Sequence, residues 1–414
     1  MDQMKEPVDI AIVGAGPAGA ALALLLARQG VSVALLERRA DFSREFRGEV
    51  LMPSGLSALD LLDIQEPTIE VPSKRIHSAQ LNLNGHTVVD VDFEHLATPL
   101  NIWAVSQPAL LEMLVGEAAS YPNFQLIRGA AVKELMRNAS GRVTGVRYTC
   151  EQQSLQLRAA LVVGADGRNS AVRKHSGIKN QHASPPMDIV WCKVPSASDT
   201  FSFEEGVRAY AGRGHLLVAY RTWDDALQIG WVILKGNFGS LRERGIPEWV
   251  DKMADHVSDD FAEHLRAQRE SVDRPFLLDT VSDCVEHWSL PGVLLIGDAA
   301  HTMSPVGGQG VNLALRDAIV TANHLRPLFE PGTNSSPLRV DQALKAIEAE
   351  RMPEIAPIQQ LQAAPPRLIL SRSWWGEPLR WLASRMLKLP LLRARFASRL
   401  GAFFFGVTEV RLLK

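Results

Sequence analysis

The chain opens with a short apolar run, Val8 to Val13, rich in Ile and Val and bounded by glycines, the pattern of a strand buried on both faces of a parallel sheet. A helix follows at once. Pro17 suits a first turn, Leu22 to Ala27 continues with good helix formers, and Gly30 stands where a left-handed C-cap belongs. Val31 to Leu36 predicts the second strand, so Glu37 closes a βαβ unit. From Ala130 to Gly164 the period changes to short alternating segments, Arg142 to Tyr148 and Leu155 to Arg158, which predict an antiparallel meander leading into a further buried strand, Ala160 to Val163. Residues 183 to 235 are strand-like, with recurring aromatics at Trp191, Phe201, Phe203, Tyr210, Tyr220, Trp223 and Trp231, and predict a separate mixed sheet. Ile246 to Ala267 is helical in period, Val293 to Ile296 is a buried strand, and Gly310 to Leu325 is the helix after it. Beyond Ala343 the pattern is helical and is expected to be interrupted by Pro353, Pro357, Pro365, Pro366, Pro378 and Pro390.

Composition narrows the class. The 414 residues, 46% apolar and 22% charged, suit two or three folded domains with cores of their own. Lys and Arg number 44 against 46 Asp and Glu, so no global basic field draws the chain to nucleic acid. Cys150, Cys192 and Cys284 are odd in number, far apart and without metal spacing; they read as reduced thiols in a cytoplasmic compartment, and no metal is expected. The N-terminus lacks a signal-peptide pattern, and no run of about 18 apolar residues predicts a membrane span.

Gly14, Gly16 and Gly19, with Pro17 and Ala18 between them, form GxGxxG after a strand and at the start of a helix. Glycines let the backbone turn tightly and approach a pyrophosphate, which the helix N-terminus then holds through its free N–H groups and dipole. Glu37, 23 positions past Gly14 and followed by Arg38, stands where a carboxylate accepts ribose hydroxyls. Dinucleotide binding follows, with FAD and NAD(P) both open at this stage.

Two further motifs decide between them. Leu161 to Arg173 reads LVVGADGRNSAVR, and Gly297 to Asn312 reads GDAAHTMSPVGGQGVN. With the N-terminal fingerprint, and in this order, they resemble the class A flavoprotein monooxygenases of the p-hydroxybenzoate hydroxylase fold, over about residues 8 to 350. The resemblance implies a Rossmann-like, three-layer FAD-binding domain built from 1–75, 100–180 and 275–345. A mixed-sheet substrate domain of 76–99 and 181–274 is inserted into it, and 346–414 form a C-terminal helical region. It implies that Asp298 meets the ribityl chain or its neighbouring ribose, and that Pro305, Gly307, Gly308, Gly310 and Asn312 lie at the flavin. Asp166 serves FAD and NAD(P)H binding, often indirectly, although Asp166, Arg168 and Arg173 would equally make a buried ion-pair lattice. Arg47 corresponds to an arginine that touches the cofactor diphosphate, Gln107 to a polar residue against the ribityl chain, and Val132 to a backbone contact at the adenine.

The implied reaction is reduction of FAD by transiently bound NADPH or NADH, reaction with O₂ to a flavin C4a-hydroperoxide, and transfer of one oxygen atom to an aromatic or otherwise activated hydrophobic small molecule. Hydroxylation, epoxidation and Baeyer–Villiger insertion stay open. So do a geranylgeranyl-reductase-like enzyme acting on C=C bonds and a non-catalytic flavin- or ligand-binding protein. A flavin-dependent halogenase is disfavoured because WxWxIP is missing; the nearest cluster reads QIGWVIL from Gln228. No catalytic side chain stands out, in keeping with chemistry that belongs to the flavin. His215, Tyr220 and Arg221 are the polar residues of the 183–235 sheet that would orient a substrate. Residues 367 to 414 carry ten Lys or Arg against Glu377 and Glu409, interleaved with Trp374, Trp375 and Trp381. That mixture suits helices packed on the acidic body of the protein, or a peripheral membrane contact.

Overall fold

The computed structural model describes residues 3–43, 49–64, 71–96, 98–183, 187–198, 201–212, 215–236, 238–239, 243, 245–333, 335–369 and 401–413. Strand β1 (Val8–Val13) leads into helix α1 (Pro17–Arg28), and β2 (Val33–Glu37) returns parallel beside β1 with Ile10 opposite Val33. Helix α1 is buried from Ala18 to Ala27 and apolar on every side because the sheet and two further helices enclose it. One is the long helix Gln309–Phe329, on which α2 (Pro53–Leu61) also packs; the other is α3 (Gln107–Ala119), capped by Ser106, which accepts from the Ala109 N–H at 3.4 Å. Strand β3 (Phe124–Arg128) adds parallel to β2.

The meander is present, with one change. Strands β4 (Ala131–Arg137), β5 (Val143–Cys150) and β6 (Gln153–Gly164) run antiparallel, but β6 is a single twelve-residue strand rather than two. Its first half pairs with β5 and its second half runs parallel to β1 on one side and to β7 (Val293–Leu295) on the other. No turn residue separates Arg158 from Ala160, so one ladder continues into the next. A second, seven-stranded sheet has the order 273–279, 187–195, 226–234, 215–221, 206–212, 78–83, 86–92. It is mixed, because only 206–212 and 78–83 pair in parallel.

The helical stretch 246–267 is two helices, Ile246–Ala254 and Asp259–Ala267. The break lets Trp249, Val250 and Met253 of the first and Phe261 and Leu265 of the second all reach one face of the second sheet. The long helix α4 (Gln309–Phe329) packs on α1, and α5 (Pro337–Ile369) packs on α4. Contrary to the expectation from its prolines, α5 continues through Pro353, Pro357, Pro365 and Pro366. Leu344, Ile347, Ile355 and Ile358 anchor one side of it in the main core, and that packing outweighs the lost backbone bonds. Among the described residues no helix is long and apolar enough to cross a membrane. Residues 370–400, which hold most of the basic tail, lie outside the described residues.

Candidate functional site

The three sequence motifs converge at the C-terminal ends of β1, β6 and β7. Gly14 has φ +101° and donates its N–H to Leu36 O at 2.7 Å. A Cβ there would stand 2.5 Å from Ala165 O and 2.6 Å from Asp166 Cα, so the first motif touches the second through bare backbone. A Cβ on Gly19 would stand 1.9 Å from Gly14 O, whereas one on Gly16 would meet nothing within 4 Å. Gly16 is the N-cap of α1, where no side chain caps the helix and no acid occupies the first turn. Pro17 and the buried Ala18 begin the helix, so its N–H groups face open space suited to an anion.

Glu37 is buried at the end of β2, where Oε2 accepts the Ala15 N–H at 2.9 Å and Oε1 the Arg39 N–H at 3.1 Å. Each oxygen keeps acceptor capacity, since a carboxylate offers about four lone-pair sites. Arg38 beside it is exposed, and Val132 is buried on β4. Arg47 lies outside the described residues.

Asp166 accepts the Ala171 N–H at 2.6 Å, the Val172 N–H at 3.2 Å and the Ser170 hydroxyl. Burial raises its pKa, and these hydrogen bonds work against the rise. Arg173 donates to Arg168 O and, at 2.8 Å, to Ala299 O. That last bond stitches the second motif to the third. Gly297, at φ +58°, donates its N–H to Asp317 Oδ2 at 2.9 Å, and a Cβ on it would stand 3.2 Å from Ala18 Cβ, which joins the third motif to the first. Asp298 sits half-buried on this turn.

Pro305 O accepts the Gly308 N–H at 3.0 Å, and Gly307 and Gly308 turn at φ +76° and +61° into α4, another helix without a side-chain cap. A Cβ on Gly310 would meet nothing within 4 Å. The Asn312 side chain is fully buried and engaged: Nδ2 donates to Val50 O at 3.2 Å and Gly308 O at 2.8 Å, while Oδ1 accepts the Met52 N–H at 2.9 Å. Asn312 therefore pins the segment Val50–Met52 against the glycine turn. Gln107 is buried at the start of α3, just past the strand Trp103–Val105 that pairs with Val50–Leu51.

Sequence reasoning assigned no role to a buried charge network beneath the third motif. His301 Nε2 lies 2.7 Å from Asp317 Oδ2, Arg351 Nε donates to Asp317 Oδ1 at 2.7 Å, and Arg351 also pairs with Glu354. Arg316 grips Glu354 with two bonds, at 3.0 and 2.8 Å. Burial alone would raise the pKa of Asp317, but the charges of His301 and Arg351 more than offset it and hold the group at about 2. Only His301, inside the GDAAH run, carried a local signal; Asp317 and Arg351 are 34 residues apart.

The three polar residues expected to orient a substrate do not share a surface. On strand 215–221, Leu217 and Ala219 face the helices 246–267, and His215 lies with them, stacked on Trp231 at 5.9 Å and on His256 at 3.8 Å. Tyr220 faces the other way, into a cluster with Ile76, Phe93, Ile102, Met187, Ile189 and Trp191, against which Val50, Met52, Val306 and Phe404 pack. Arg221 pairs with Asp225 at 2.9 Å. The alternation of a strand separates His215 from Tyr220. Glu49, which sequence reasoning gave no role, is buried beside Tyr220; burial first, and the charge of Asp224 second, raise its carboxyl to about 7 against the pull of Lys193 and Trp223. A surface cavity of about 220 Å³ lined by Asn323, His324, Glu350, Glu409, Arg411 and Leu413 contains none of the motif residues.

A family model described as "FAD binding domain" matches residues 7–336. The 6-methylpretetramide 4-monooxygenase of Streptomyces rimosus is 33% identical over 365 residues, covering 88% of this chain and 84% of that protein. The 3-demethoxyubiquinol 3-hydroxylase of Escherichia coli is 28% identical over 336 residues, covering 76% and 78%. The crystal structure of p-nitrophenol 4-monooxygenase from Pseudomonas putida superposes with a TM-score of 0.79 over 98% of this chain and all of that one, at 18% identity, a likeness of fold.

Proposed function

The chain belongs to the FAD-binding family of class A flavoprotein monooxygenases, and from that premise we propose that it uses NADPH or NADH and O₂ to place one oxygen atom on an aromatic or otherwise activated hydrophobic small molecule. FAD is the cofactor, and it supplies electron acceptance and oxygen activation when bound. The observation that carries the reading is that the glycine turns at Gly14–Gly19 and Gly297 pack on each other, while the Gly307–Gly308 turn of the same third motif lies against Val50 and Met52 below an apolar face of the second sheet.

The residues fit the group. The uncapped start of α1 at Gly16 would take the pyrophosphate, Glu37 a ribose hydroxyl, and Asp298 the ribityl side. The backbone from Pro305 to Gly310, with the start of α4 behind it, would face the flavin ring and favour negative charge there. Asn312 would act by holding Val50–Met52 in place. Asp166 would act by capping the helix Ala171–Ser176, which Arg173 ties to the Asp298 turn. The apolar side chains around Trp191 and Tyr220 would exclude water above the ring. In this reading 1–75, 100–180 and 275–345 form the FAD-binding domain, 76–99 and 181–274 the substrate domain, and 346–414 a helical region. The related demethoxyubiquinol hydroxylase and methylpretetramide monooxygenase support a ring-bearing substrate.

The test is to purify the protein, read its flavin absorbance, and screen ring compounds while following NAD(P)H loss, O₂ uptake and H₂O₂ release. The expected result is a yellow protein whose slow NAD(P)H oxidation accelerates with a substrate, with little peroxide. A protein that cannot be loaded with FAD, or one that oxidises NAD(P)H with substrate but takes up no O₂, defeats the reading.

A further inference from the structure

Residues 401–413, far beyond the third motif in sequence, pack back onto it. A Cβ on Gly307 would stand 2.9 Å from Phe403 Cδ1, so the Phe403 ring lies directly against the Gly307–Gly308 turn. Gln309, 1% exposed at the first position of α4, donates through Nε2 to Gly307 O and to Phe403 O, each at 2.7 Å. Phe403 joins the main core, while Phe404 packs on the apolar cluster of the second sheet and meets Phe93 edge-on at 6.3 Å. Two adjacent residues thus tie the turn to the sheet above it.

The rest of the segment is fastened through its backbone. Gly406 turns at φ +78° beside Glu354, whose Oε1 accepts the Val407 N–H at 2.9 Å, and Arg316 donates to Thr408 O. Further along α4, Asn323 donates to Arg411 O at 2.7 Å and accepts the Leu413 N–H at 2.9 Å, while Arg326 donates to Leu413 O at 3.1 Å. Phe405, Val407 and Leu413 are exposed, so hydrogen bonds more than apolar burial hold this stretch. Local opening of such a segment costs less than global unfolding. The buried charge network ends on it: Glu354 pairs with Arg351, Arg351 with Asp317, and Asp317 accepts the Gly297 N–H. A continuous set of contacts therefore runs from the Gly297 turn through the network to Val407, and from Phe403 through Gln309 to the Gly307 turn.

We propose that Phe403–Leu413 is a strap linked to cofactor binding, with Phe403 and Gln309 as positioning residues that hold the Gly307–Gly308 turn in the shape that receives the flavin. This rests on the reading above that the turn faces the flavin. A turn already held by the strap loses less freedom when FAD binds. The linkage is reciprocal, so bound FAD fastens the strap in return.

The test compares full-length wild type, stripped of FAD and loaded with it, by hydrogen exchange read by mass spectrometry, and measures FAD affinity by fluorescence titration. Both 307–312 and 403–413 should exchange at least about fivefold more slowly with FAD, while the helices 246–267 stay unchanged. Phe403→Ala should weaken FAD binding about tenfold and abolish the FAD-dependent protection of 403–413. Phe403→Leu, which refills most of the space against Gly307, should recover most of the affinity. Asn323 stands about 21 Å along α4 from its first residue, and Asn323→Ala removes two strap bonds without touching the turn. It should still weaken FAD binding about threefold. A strap that only stabilises the fold would lower the melting temperature of these variants and leave FAD affinity alone. If Phe403→Ala does not fold, wild-type exchange and Asn323→Ala decide. Protection of 307–312 with unchanged exchange over 403–413, or wild-type FAD affinity in both alanine variants, overturns the proposal and leaves the reading of the turn intact. If FAD does not protect 307–312, that reading has failed and the proposal falls with it.

Discussion

The two sides of the candidate site are made from different materials. On the cofactor side the proposed working groups are backbone N–H groups at the uncapped starts of two helices, Pro17–Arg28 and Gln309–Phe329, where neighbouring glycines let the chain turn and close up. On the proposed substrate side they are side chains, Tyr220 and Trp191 among them, brought together across strands and against the distant segment Val50–Met52. Backbone sites need small residues at fixed local spacing, whereas side-chain sites need only that the fold deliver the groups.

The largest expected effect breaks that comparison if it is wrong. Gly19→Ala puts a Cβ 1.9 Å from Gly14 O, backbone against backbone, and should cost about 4 kcal/mol or more and leave little folded protein. Gly16→Ala has open space and an ordinary backbone conformation, so the apoprotein should keep its melting temperature while FAD retention falls. Thermal melts and flavin content of both variants check this. Equal damage at the two positions would mean that Gly16 is structural and faces no ligand.

The same contrast explains what could be read from the chain. The three glycine motifs announced the cofactor side because each is contiguous, and the structure links them in pairs, Gly14 against Asp166, Ala18 against Gly297, and Arg173 to Ala299. The strands and helices were legible in type from their periods. Their limits were not: β6 runs on as one strand, and α5 passes its prolines, because pairing and packing partners far away in sequence decide the outcome. His215 and Tyr220 looked equivalent as polar residues five apart on a strand, yet an odd spacing puts them on opposite faces. Glu49 and Tyr220 carry no shared local pattern at all.

A middle-sized effect sharpens the comparison on the cofactor side, where side chains are present but serve below the backbone turns. Arg351→Leu leaves Asp317 and Glu354 buried with half their partners removed and should destabilise the protein by about 3–5 kcal/mol in chemical denaturation. The folded-state pKa of Asp317 lies below its unfolded value. Its contribution is therefore fully present above about pH 4 and is lost as the pH falls through about 2. In the variant that contribution shrinks, so acid unfolding should begin at higher pH than in wild type. Because Asp317 also holds the Gly297 N–H, FAD affinity should drop with it. A variant with unchanged stability and acid midpoint would show that the network is a bystander.

The smallest effect tests the substrate side alone. His215→Ala removes one ring, stacked on His256 at 3.8 Å and on Trp231 at 5.9 Å on the helix-covered face, and should cost about 1 kcal/mol of stability, with no change in how the FAD-loaded protein binds a ring compound. Tyr220→Phe keeps the ring and the packing and removes one hydroxyl from the face that looks toward Glu49 and the glycine turn. It should leave stability within about 0.5 kcal/mol of wild type, or raise it, while altering the affinity or pH dependence of ring-compound binding. The two variants thus exchange their phenotypes: one moves the melting curve and spares binding, the other spares the melt and moves binding. If His215→Ala changes ligand affinity as much as Tyr220→Phe does, then the ligand surface wraps around the sheet edge, and the division of the strand into a structural face and a binding face fails.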